Sequence, residues 1–263
     1  MTGAVALPLI ILFLAYTGPG LLLVLVCTIS ILGQFEFQKM AQGASLAAAN
    51  LVAVVGGSLF VLLAGLQLYV WSLLALTLLS FLLFSLFLFQ RRDLRQIAHD
   101  CAVTLMGVVY LAFPLALMVE LFRQPNGRQW IFFVLLTVML SDTCAYFVGS
   151  RWGRKPLYPS VSPNKSVEGA VGGLLGALVG GGVAVATFFP SLGLLALPVA
   201  LFLSVCGQVG DLFESLLKRS FGVKDSGTMI PGHGGLLDRL DSLLFAFPGA
   251  LFCALTGSAL GVW

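Results

Sequence analysis

Charged residues are scarce in this 263-residue sequence. They make up 10% of the chain, whereas about 25% is usual in a soluble globular domain. Hydrophobic residues make up 59%, and the mean hydropathy is +1.03. The net charge of +3 is small, and we expect no nucleic acid partner. The composition therefore excludes a water-soluble core and predicts a polytopic protein of the lipid bilayer.

Other common signals are also absent. A secretory signal requires Lys or Arg before its apolar run, and none precedes the first apolar run here. We therefore expect this run to be retained as a membrane span. The five cysteines form no C-x-x-C pair and lie in or beside apolar segments, which argues against a disulfide framework or a zinc site. The stretch GSRWGRK does not match the phosphate-binding Walker A pattern.

Apolar segments that can cross a bilayer follow one another along the chain. A span needs roughly 20 apolar residues, and its backbone polar groups must be bonded within the segment, so these segments are expected to be helices. We predict an all-α protein with about nine transmembrane helices, near residues 4–16, 19–37, 47–64, 66–89, 101–121, 128–149, 167–188, 192–215 and 235–260. The first is short, and eight spans result if TGPG (17–20) is a turn or kink within one longer element.

The basic residues lie mostly on one side of these spans. With nine spans and a cytoplasmic N-terminus, twelve of the fourteen Lys and Arg residues flank the cytoplasmic side. Only Arg123 and Arg128 lie on the other side, together with Trp263. The positive-inside rule favours this orientation. No connection is long enough for a separate soluble domain.

Most charges are concentrated in the second half of the chain. Residues 142–241 carry seven of the eleven acids and eight of the fourteen bases. We therefore interpret residues 1–125 as a scaffold of transmembrane helices. Residues 126–263 are interpreted as a catalytic region with cytoplasmic active-site loops, within one integrated membrane domain.

The segment SVCGQVGDLFESLLKRS (204–220) carries a polar stripe. Positions spaced by four, three, four and three residues share one helical face, with Glu214 beside it: Ser204, Gln208, Asp211, Ser215 and Lys218. A carboxylate at membrane depth is costly and usually faces a cavity or a partner. The alternative interpretation of Asp211 is a structural Asp–Lys pair between helices.

The segment PGHGGLLDRLDSLLFAF (231–247) combines a glycine-rich turn with two acids. Asp238 and Asp241 would share one face of a helix that starts after the turn. Together with a carboxylate from another helix they would suit Mg²⁺, which prefers hard oxygen ligands. The alternative is acidic charge favoured at a helix N-terminus, which accounts for only one of the two. His233 is more typical of a hydrogen-bonding turn residue than of a catalyst.

A third cluster lies in SDTCAYFVGSRWGRKPLYPSVSPNKSVEGA (141–170). Asp142 lies near the cytoplasmic end of a span, and four bases follow it: Arg151, Arg154, Lys155 and Lys165. Such bases are by default topology signals or contacts to anionic lipids, but here acids and turn residues are interleaved with them. Ser166 and Glu168 mark a helix start. The run GGLLGALVGGG (172–182) favours close helix packing over a phosphate loop.

The stretch SLLKRSFGVKDSGTMIPGHGGLLDRLD (215–241) resembles the signature of the phosphatidate cytidylyltransferase family, the CDP-diacylglycerol synthases. That signature runs from Ser through Lys-Arg, Lys-Asp and Pro-Gly-His-Gly-Gly to Asp-Arg-x-Asp, and every element is present. The stretch 141–169 is similar to a second block of the family, which usually has Lys at the position of Asn164 and Thr at that of Ser166. The specific resemblance covers residues 141–248.

The resemblance implies that CTP and phosphatidic acid react to give CDP-diacylglycerol and pyrophosphate. It also implies Mg²⁺, a second cation such as K⁺, and a homodimer. By motif position, Asp211 and Asp238 would be the main metal ligands. Asp241 and Asp142 would be secondary ligands or orienting groups.

The residues of these blocks suit a reaction between two polyanions, because cations must neutralise their repulsion and the charge on the leaving pyrophosphate. Lys218, Arg219 and Lys224 would hold phosphates, and Arg239 would join them or pair with an acid. Lys165 and Arg154 would hold the triphosphate. The attacking phosphate oxygen is already ionised, so His233 is expected to contact a ligand or organise the turn. The remaining motif positions are assigned to catalysis (Asp225) or substrate binding (Ser166, Glu168, Ser215, Gly234 and Gly235).

The sequence leaves two classes of alternative function open and excludes a third. A related enzyme could use CTP with another lipid, as an ether-lipid synthase or a polyprenol kinase. A transporter with intramembrane carboxylates is disfavoured, because the charges cluster at one cytoplasmic end. A CDP-alcohol phosphotransferase is excluded, since its D-x2-D-G-x2-A-R motif is missing. We expect residence in a bacterial inner membrane, with the active site facing the cytoplasm.

Overall fold

The computed structural model describes residues 16–42, 48–89, 94–227 and 234–261. Eight helices in these ranges are long and apolar enough to cross a membrane. They are α1 (Pro19–Gln42), α2 (Ala48–Gly65), α3 (Tyr69–Leu88), α4 (Leu94–Arg123), α5 (Gly127–Trp152), α6 (Val167–Thr187), α7 (Ala196–Ser220) and α8 (Leu237–Ala259). The expected polytopic, mainly helical membrane protein is confirmed.

The eight helices correspond one to one with the last eight predicted spans. The first predicted span, 4–16, lies almost entirely outside the described residues, so the count of nine stays a prediction. Helix α4 differs most from expectation, because it begins at Leu94 instead of near residue 101. Four of the seven added residues are polar or charged, and a helix can continue beyond the hydrocarbon since its hydrogen bonds lie within the segment.

A small hairpin interrupts the helices between α5 and α6. Strands β1 (Pro156–Tyr158) and β2 (Ser162–Ser166) pair antiparallel, with Pro156 opposite Ser166 and Tyr158 opposite Ser162. The all-α prediction did not include these strands. Short strands joined by a tight turn are hard to recognise from sequence, since the segment lacks the apolar alternation of a half-buried strand.

Helix α6 begins where the sequence indicates. Ser166 is extended, with φ −118° and ψ 156°, and its Oγ accepts a hydrogen bond of 3.1 Å from the Gly169 backbone N–H. A serine in this position satisfies one of the free N–H groups at a helix start. The predicted start at Ser166 is therefore confirmed.

The glycine-rich run lets α6 pack closely against α5. A Cβ atom at Gly176 would lie 2.5 Å from the Leu140 carbonyl oxygen and 2.7 Å from Cys144 Cβ. At Gly172, it would lie 2.6 Å from Val148 Cβ. These distances leave no room for a larger residue, so the predicted role of the run in helix packing is confirmed.

The described chain divides into two compact units. The first unit contains residues 16–19, 120–219 and 240–261, and the second contains 20–119 and 220–239. Helix α3, in the second unit, buries only Ser72, Leu79, Leu83 and Phe87. Most of its other large apolar side chains are exposed, as suits a helix that faces lipid. The interpretation of residues 1–125 as scaffold and 126–263 as catalytic region stays a prediction.

Candidate active site

The first unit contains an acidic cluster, formed by Asp142 of α5, Asp211 and Glu214 of α7, and Asp241 of α8. Asp142 is repelled by Asp211 and attracted by Lys165. Asp241 is repelled by each of the other three acids. Carboxylates repel one another strongly away from bulk water, so they are assembled only where cations balance them.

Two lysines supply part of that balance. Lys165 Nζ, on strand β2, forms an ion pair with Asp211 Oδ2. Lys218 Nζ lies 2.5 Å from Glu214 Oε2, one helical turn away on α7. Four carboxylates therefore share two ammonium groups in this cluster. The structural Asp–Lys pair considered for Asp211 exists, and its lysine is one that the sequence assigns to triphosphate binding.

Glu214 is the most buried member of the acidic cluster. Its side chain is 0% exposed, and that of Lys218 is 14% exposed. Removing two charges from water is costly, and the pairing offsets that cost. The assignment of Lys218 to phosphate binding stays a prediction. The structure shows that Lys218 pairs with Glu214, which the sequence analysis placed only beside the polar stripe.

Helices α7 and α8 approach closely beside the cluster. A Cβ atom at Gly210 would lie 2.5 Å from the Asp241 carbonyl oxygen and 3.0 Å from Phe245 Cδ2. The Asp241 carboxylate accepts a hydrogen bond of 2.6 Å from the Ser242 backbone N–H. The small residue at 210 thus brings the Asp241 backbone against the helix that carries Asp211 and Glu214.

The polar stripe of α7 continues from the acids toward the N-terminal end of the helix. Ser204 Oγ lies 2.7 Å from Ser141 Oγ of α5. Gln208 Nε2 donates to Ser204 Oγ and to the Ala170 carbonyl oxygen, both at 3.2 Å. This half of the stripe holds three helices together by hydrogen bonds. Ser215, predicted to bind substrate, lies higher on α7 and is half-buried.

The residues predicted in the hairpin loop organise its backbone. Glu168 Oε2 accepts hydrogen bonds from the backbone N–H groups of Arg154, at 3.0 Å, and Lys155, at 3.1 Å. Arg219 Nε donates to the Val161 carbonyl oxygen at 3.4 Å. The Arg154 side chain is exposed. Glu168 and Ser166 therefore shape this loop, and their assignment to substrate binding remains untested.

The signature loop of the second unit is organised around Asp238. Its Oδ2 accepts hydrogen bonds from Ser226 N at 3.2 Å and Gly235 N at 2.8 Å, and it lies 2.9 Å from Ser226 Oγ, whose single proton is donated to Asp238 or to Glu36. A metal at Asp238 would use another oxygen or replace these bonds. Gly234 has φ +81°, a conformation that favours glycine, and a Cβ there would lie 2.7 Å from Asp238 Oδ2.

The other predicted residues of this loop are exposed. Lys224, Asp225 and Arg239 all present their side chains to the surface of the second unit. His233 lies outside the described residues. Asp225 also lines a pocket of about 310 Å³, together with Glu36, Lys39 and Ser226.

Glu36 of α1 is a site residue that the sequence analysis did not select. It is 3% exposed, and its carboxylate accepts hydrogen bonds from Ser226 Oγ and from the backbone of Leu236 and Leu237. The available signal was an acid within an apolar span, which is costly unless it has partners. The sequence could not show which segment supplies those partners.

The acidic cluster has the donor chemistry of a site for a hard divalent cation. Its carboxylate oxygens are the ligands that Mg²⁺ prefers, and the four acids outnumber the two lysines that pair with them. Within the described residues, no group of three His, Cys, Asp or Glu side chains is close enough to hold a metal ion as it stands. A metal here would therefore require these side chains to close around it.

Comparison with known proteins identifies the family. A model of the family described as "Cytidylyltransferase family" matches residues 1–256. The chain belongs to this cytidylyltransferase family. Its members' name agrees with the resemblance found in the two sequence blocks, and the family assignment is confirmed.

Curated relatives carry a more specific name. The chain is 48% identical over 132 residues to "Phosphatidate cytidylyltransferase" of Bacillus subtilis (strain 168), which is 48% of this chain and 47% of the relative. It is 44% identical over 152 residues to the protein of that name from Staphylococcus haemolyticus (strain JCSC1435), and 43% over 153 residues to that from Staphylococcus aureus (strain COL). Each of these two matches covers 57% of both chains. The chain thus spans about half the length of the curated relatives it matches.

Proposed function

We propose that this protein is a phosphatidate cytidylyltransferase, which converts CTP and phosphatidic acid to CDP-diacylglycerol and pyrophosphate. Membership of the cytidylyltransferase family and 43–48% identity to relatives of that name carry the proposal. The acidic cluster with its two lysines supports the proposal, because its carboxylates could bind a cation and its lysines could bind phosphate. The substrates would then be CTP from water and phosphatidic acid from the bilayer.

The proposed reaction is a substitution at the α-phosphorus of CTP. An oxygen of the lipid phosphate forms the new P–O bond, and the bond to the β-phosphate breaks to release pyrophosphate. The attacking oxygen is already ionised near neutral pH, so no strong general base is needed. Catalysis then depends mainly on positioning and on positive charge.

Basic residues of each unit would supply positive charge. In the first unit, Lys165 can exchange its Asp211 partner for a phosphate oxygen, since both partners are oxyanions. Arg154 and Arg219, both exposed, can contact phosphate without breaking a side-chain ion pair found in the structure. In the second unit, Lys224 and Arg239 are exposed, and their side chains could also contact phosphate.

Mg²⁺ is part of this proposal, with Asp142, Asp211 and Asp241 as the residues that would hold it in the first unit. In the second unit, Asp238 is proposed to bind a cation as well, and a second cation such as K⁺ is also proposed. A bound metal would neutralise phosphate charge and stabilise the leaving pyrophosphate. Asp211 pairs with Lys165 in the structure, and a cation bound to Asp211 would free Lys165 for a phosphate oxygen.

The membrane setting follows from the fold, and its details are proposed. Eight helices of spanning length in the described residues make the protein an integral membrane protein. We propose a bacterial inner membrane, an N-terminus and active site that face the cytoplasm, and a homodimer. The distribution of Lys and Arg supports the orientation.

The test is product formation by purified protein in detergent with radiolabelled CTP, phosphatidic acid and Mg²⁺. We expect lipid-soluble CDP-diacylglycerol from the wild type. Asp211→Asn should lower the rate about 10³-fold. The substitution removes the carboxylate that would bind the metal and that positions Lys165, and with it several kcal/mol of transition-state stabilisation. Glu120→Gln is the matched control and should leave the rate unchanged, since Glu120 is a carboxylate three residues before Arg123, which is predicted to lie on the side away from the cytoplasm.

A folded wild type that makes no product with any phosphatidic acid would reject the proposed substrate. Polyprenols and ether lipids would then be offered as acceptors under the same conditions. If Asp211→Asn retained full activity, the assignment of the acidic cluster to the reaction would be wrong, even with the substrate correct.

A further inference from the structure

A buried carboxylate of α1 accepts hydrogen bonds from the signature stretch 215–241. Glu36 lies on α1, within the part interpreted as scaffold, and is 3% exposed. Its Oε1 lies 2.5 Å from Ser226 Oγ and 3.0 Å from Leu237 N, and its Oε2 lies 2.8 Å from Leu236 N. These partners are about 200 residues away in the sequence, so the contact joins two distant segments of the second unit.

The three donors match what an ionised carboxylate requires. Burial of a charge is costly unless hydrogen bonds replace those of water. The N–H groups of Leu236 and Leu237 belong to the start of α8, where backbone donors have no partner within the helix. A negative charge at a helix N-terminus is also favoured by the helix dipole. Glu36 therefore serves as the cap of α8 from another helix.

Ser226 connects Glu36 to Asp238. Its hydroxyl lies 2.5 Å from Glu36 Oε1 and 2.9 Å from Asp238 Oδ2. Asp238 Oδ2 also accepts from the backbone of Ser226 and Gly235. The position of the Asp238 carboxylate thus depends on a loop that Glu36 holds. We call Glu36, Ser226 and the N–H groups of Leu236 and Leu237 the Glu36 clasp.

Two glycines of the loop pack directly against the Glu36 carboxylate. A Cβ atom at Gly235 would overlap Glu36 Oε1 and Ser226 Oγ, and one at Gly227 would lie 3.0 Å from Glu36 Cδ. The distances at Gly235 leave no room for a side chain, whereas a Cβ at Gly227 would require the Glu36 carboxylate to move by a few tenths of an ångström. The loop is therefore pressed against the Glu36 carboxylate on both sides of the segment 228–233.

The clasp also forms one wall of the pocket of about 310 Å³ in this unit. Glu36 and Lys39 contribute from the helix, and Asp225 and Ser226 contribute from the loop. A change in the loop would therefore alter the pocket as well as Asp238.

We propose that Glu36 is a positioning residue of the cytidylyltransferase reaction, which fixes the signature loop and Asp238 through the clasp. This proposal rests on the proposed function for its effect on rate. The clasp itself makes a separate statement about structure, which can be measured without activity. Glu36 acts through Ser226 and α8 and is not itself expected to touch CTP.

The test compares Glu36→Gln and Glu36→Leu with Gln38→Leu. Gln replaces Glu with the same shape but presents an N–H₂ group to at least one donor of the clasp, and Leu removes all acceptors. Gln38 is the matched control, because it is a fully buried polar residue on the same helix that bonds the Thr104 carbonyl oxygen instead. Two readouts are taken on folded protein: amide hydrogen exchange of residues 223–227 and 234–239, and steady-state kinetics with CTP.

We expect faster exchange at Ser226, Gly235, Leu236 and Leu237 in Glu36→Gln and a larger increase in Glu36→Leu. The kcat should fall about tenfold to a hundredfold in Glu36→Gln, since a charge-assisted hydrogen bond to the loop is lost. The KM for CTP should change less than kcat, and the loss should be greater in Glu36→Leu. Gln38→Leu should leave the exchange of these amides and kcat at the wild-type level.

Unchanged exchange and unchanged kcat in both Glu36 variants would overturn the proposal, as would an equal loss in Gln38→Leu. If Glu36→Leu does not fold, Ser226→Ala takes its place, because it removes the hydroxyl between Glu36 and Asp238. If the wild type makes no CDP-diacylglycerol, the proposed function fails, and the exchange measurement alone still decides whether the clasp exists. Faster exchange with unchanged kcat would reduce Glu36 to a structural role and reject it as a positioning residue.

Discussion

The acidic cluster of the first unit and the Glu36 clasp of the second unit both gather carboxylates, but different partners satisfy them. In the cluster, Lys165 and Lys218 pair with Asp211 and Glu214. In the clasp, a hydroxyl and backbone N–H groups bond Glu36 and Asp238. An ammonium on a flexible stem can leave for another anion, whereas a backbone N–H is fixed by its helix or loop. The cluster is therefore suited to exchanging charge, and the clasp to holding a shape.

The largest effect is expected from breaking the buried pair of the cluster. Lys218→Met should lower the free energy of unfolding by about 3–5 kcal/mol, because it leaves the fully buried Glu214 without its cation. Unfolding in detergent with a denaturant measures this loss. The double variant Lys218→Met with Glu214→Leu should recover most of it, since no charge is then left buried. If the single and double variants were equally unstable, the pairing would not be what stabilises Glu214.

The second largest effect is expected from Mg²⁺ binding to the acidic cluster. At a concentration about a hundred times its Kd, it should stabilise the wild type by about 2.7 kcal/mol, because binding to the folded state alone adds to stability. Removal by a chelator should reverse the gain, and Asp211→Asn should abolish it.

Unfolding in detergent with a denaturant, with and without Mg²⁺, measures this gain in stability. Stabilisation of Asp211→Asn equal to that of the wild type would place the cation elsewhere than at Asp211.

Crowding at the clasp should have a smaller effect. Gly235→Ala should destabilise the protein by about 1–3 kcal/mol, since the added methyl overlaps Glu36 and Ser226 and forces the loop to shift. Gly182→Ala is the matched control, because a Cβ there meets no atom within 4 Å and the helix gains from losing a glycine. Thermal unfolding of the two variants compares them directly. Equal stability would show that the clasp yields easily.

The smallest effect is expected at the α6 cap in the first unit. Ser166→Ala should cost about 1 kcal/mol, because the Gly169 N–H loses its acceptor. Ser166→Thr should keep most of the stability, since threonine also caps helices and is the residue usual in the family at this position. A thermal unfolding series with both variants measures the difference. No loss in Ser166→Ala would mean that water replaces the cap without cost.

Much of the fold could be predicted from the sequence, because lipid permits few solutions. Eight predicted spans match eight helices, and the starts near 19, 48, 127 and 167 agree within about two residues, the usual uncertainty of helix ends. The α6 start and the glycine packing face were also predicted correctly. The hairpin 156–166 was not, since its few residues show no clear periodicity.

The candidate site could be predicted only in part. The motif acids and bases were selected, and the alternative pairing of Asp211 with a lysine was foreseen in kind. The sequence did not identify that lysine as Lys165, because spacing shows which residues share a helix face but not which side chains meet between elements. The pairing of Lys218 with Glu214 was not predicted either. His233 lies outside the described residues, so its role stays a prediction.

The sequence by itself determined the helical membrane architecture and the two charged blocks of the family. Both depend on local properties: the length of an apolar run, the spacing of polar residues, and a contiguous motif. Only the tertiary structure decided that Glu36 holds the signature loop. That contact joins residues about 200 positions apart, and a buried carboxylate can find its donors only where folding brings a helix start and a serine to it.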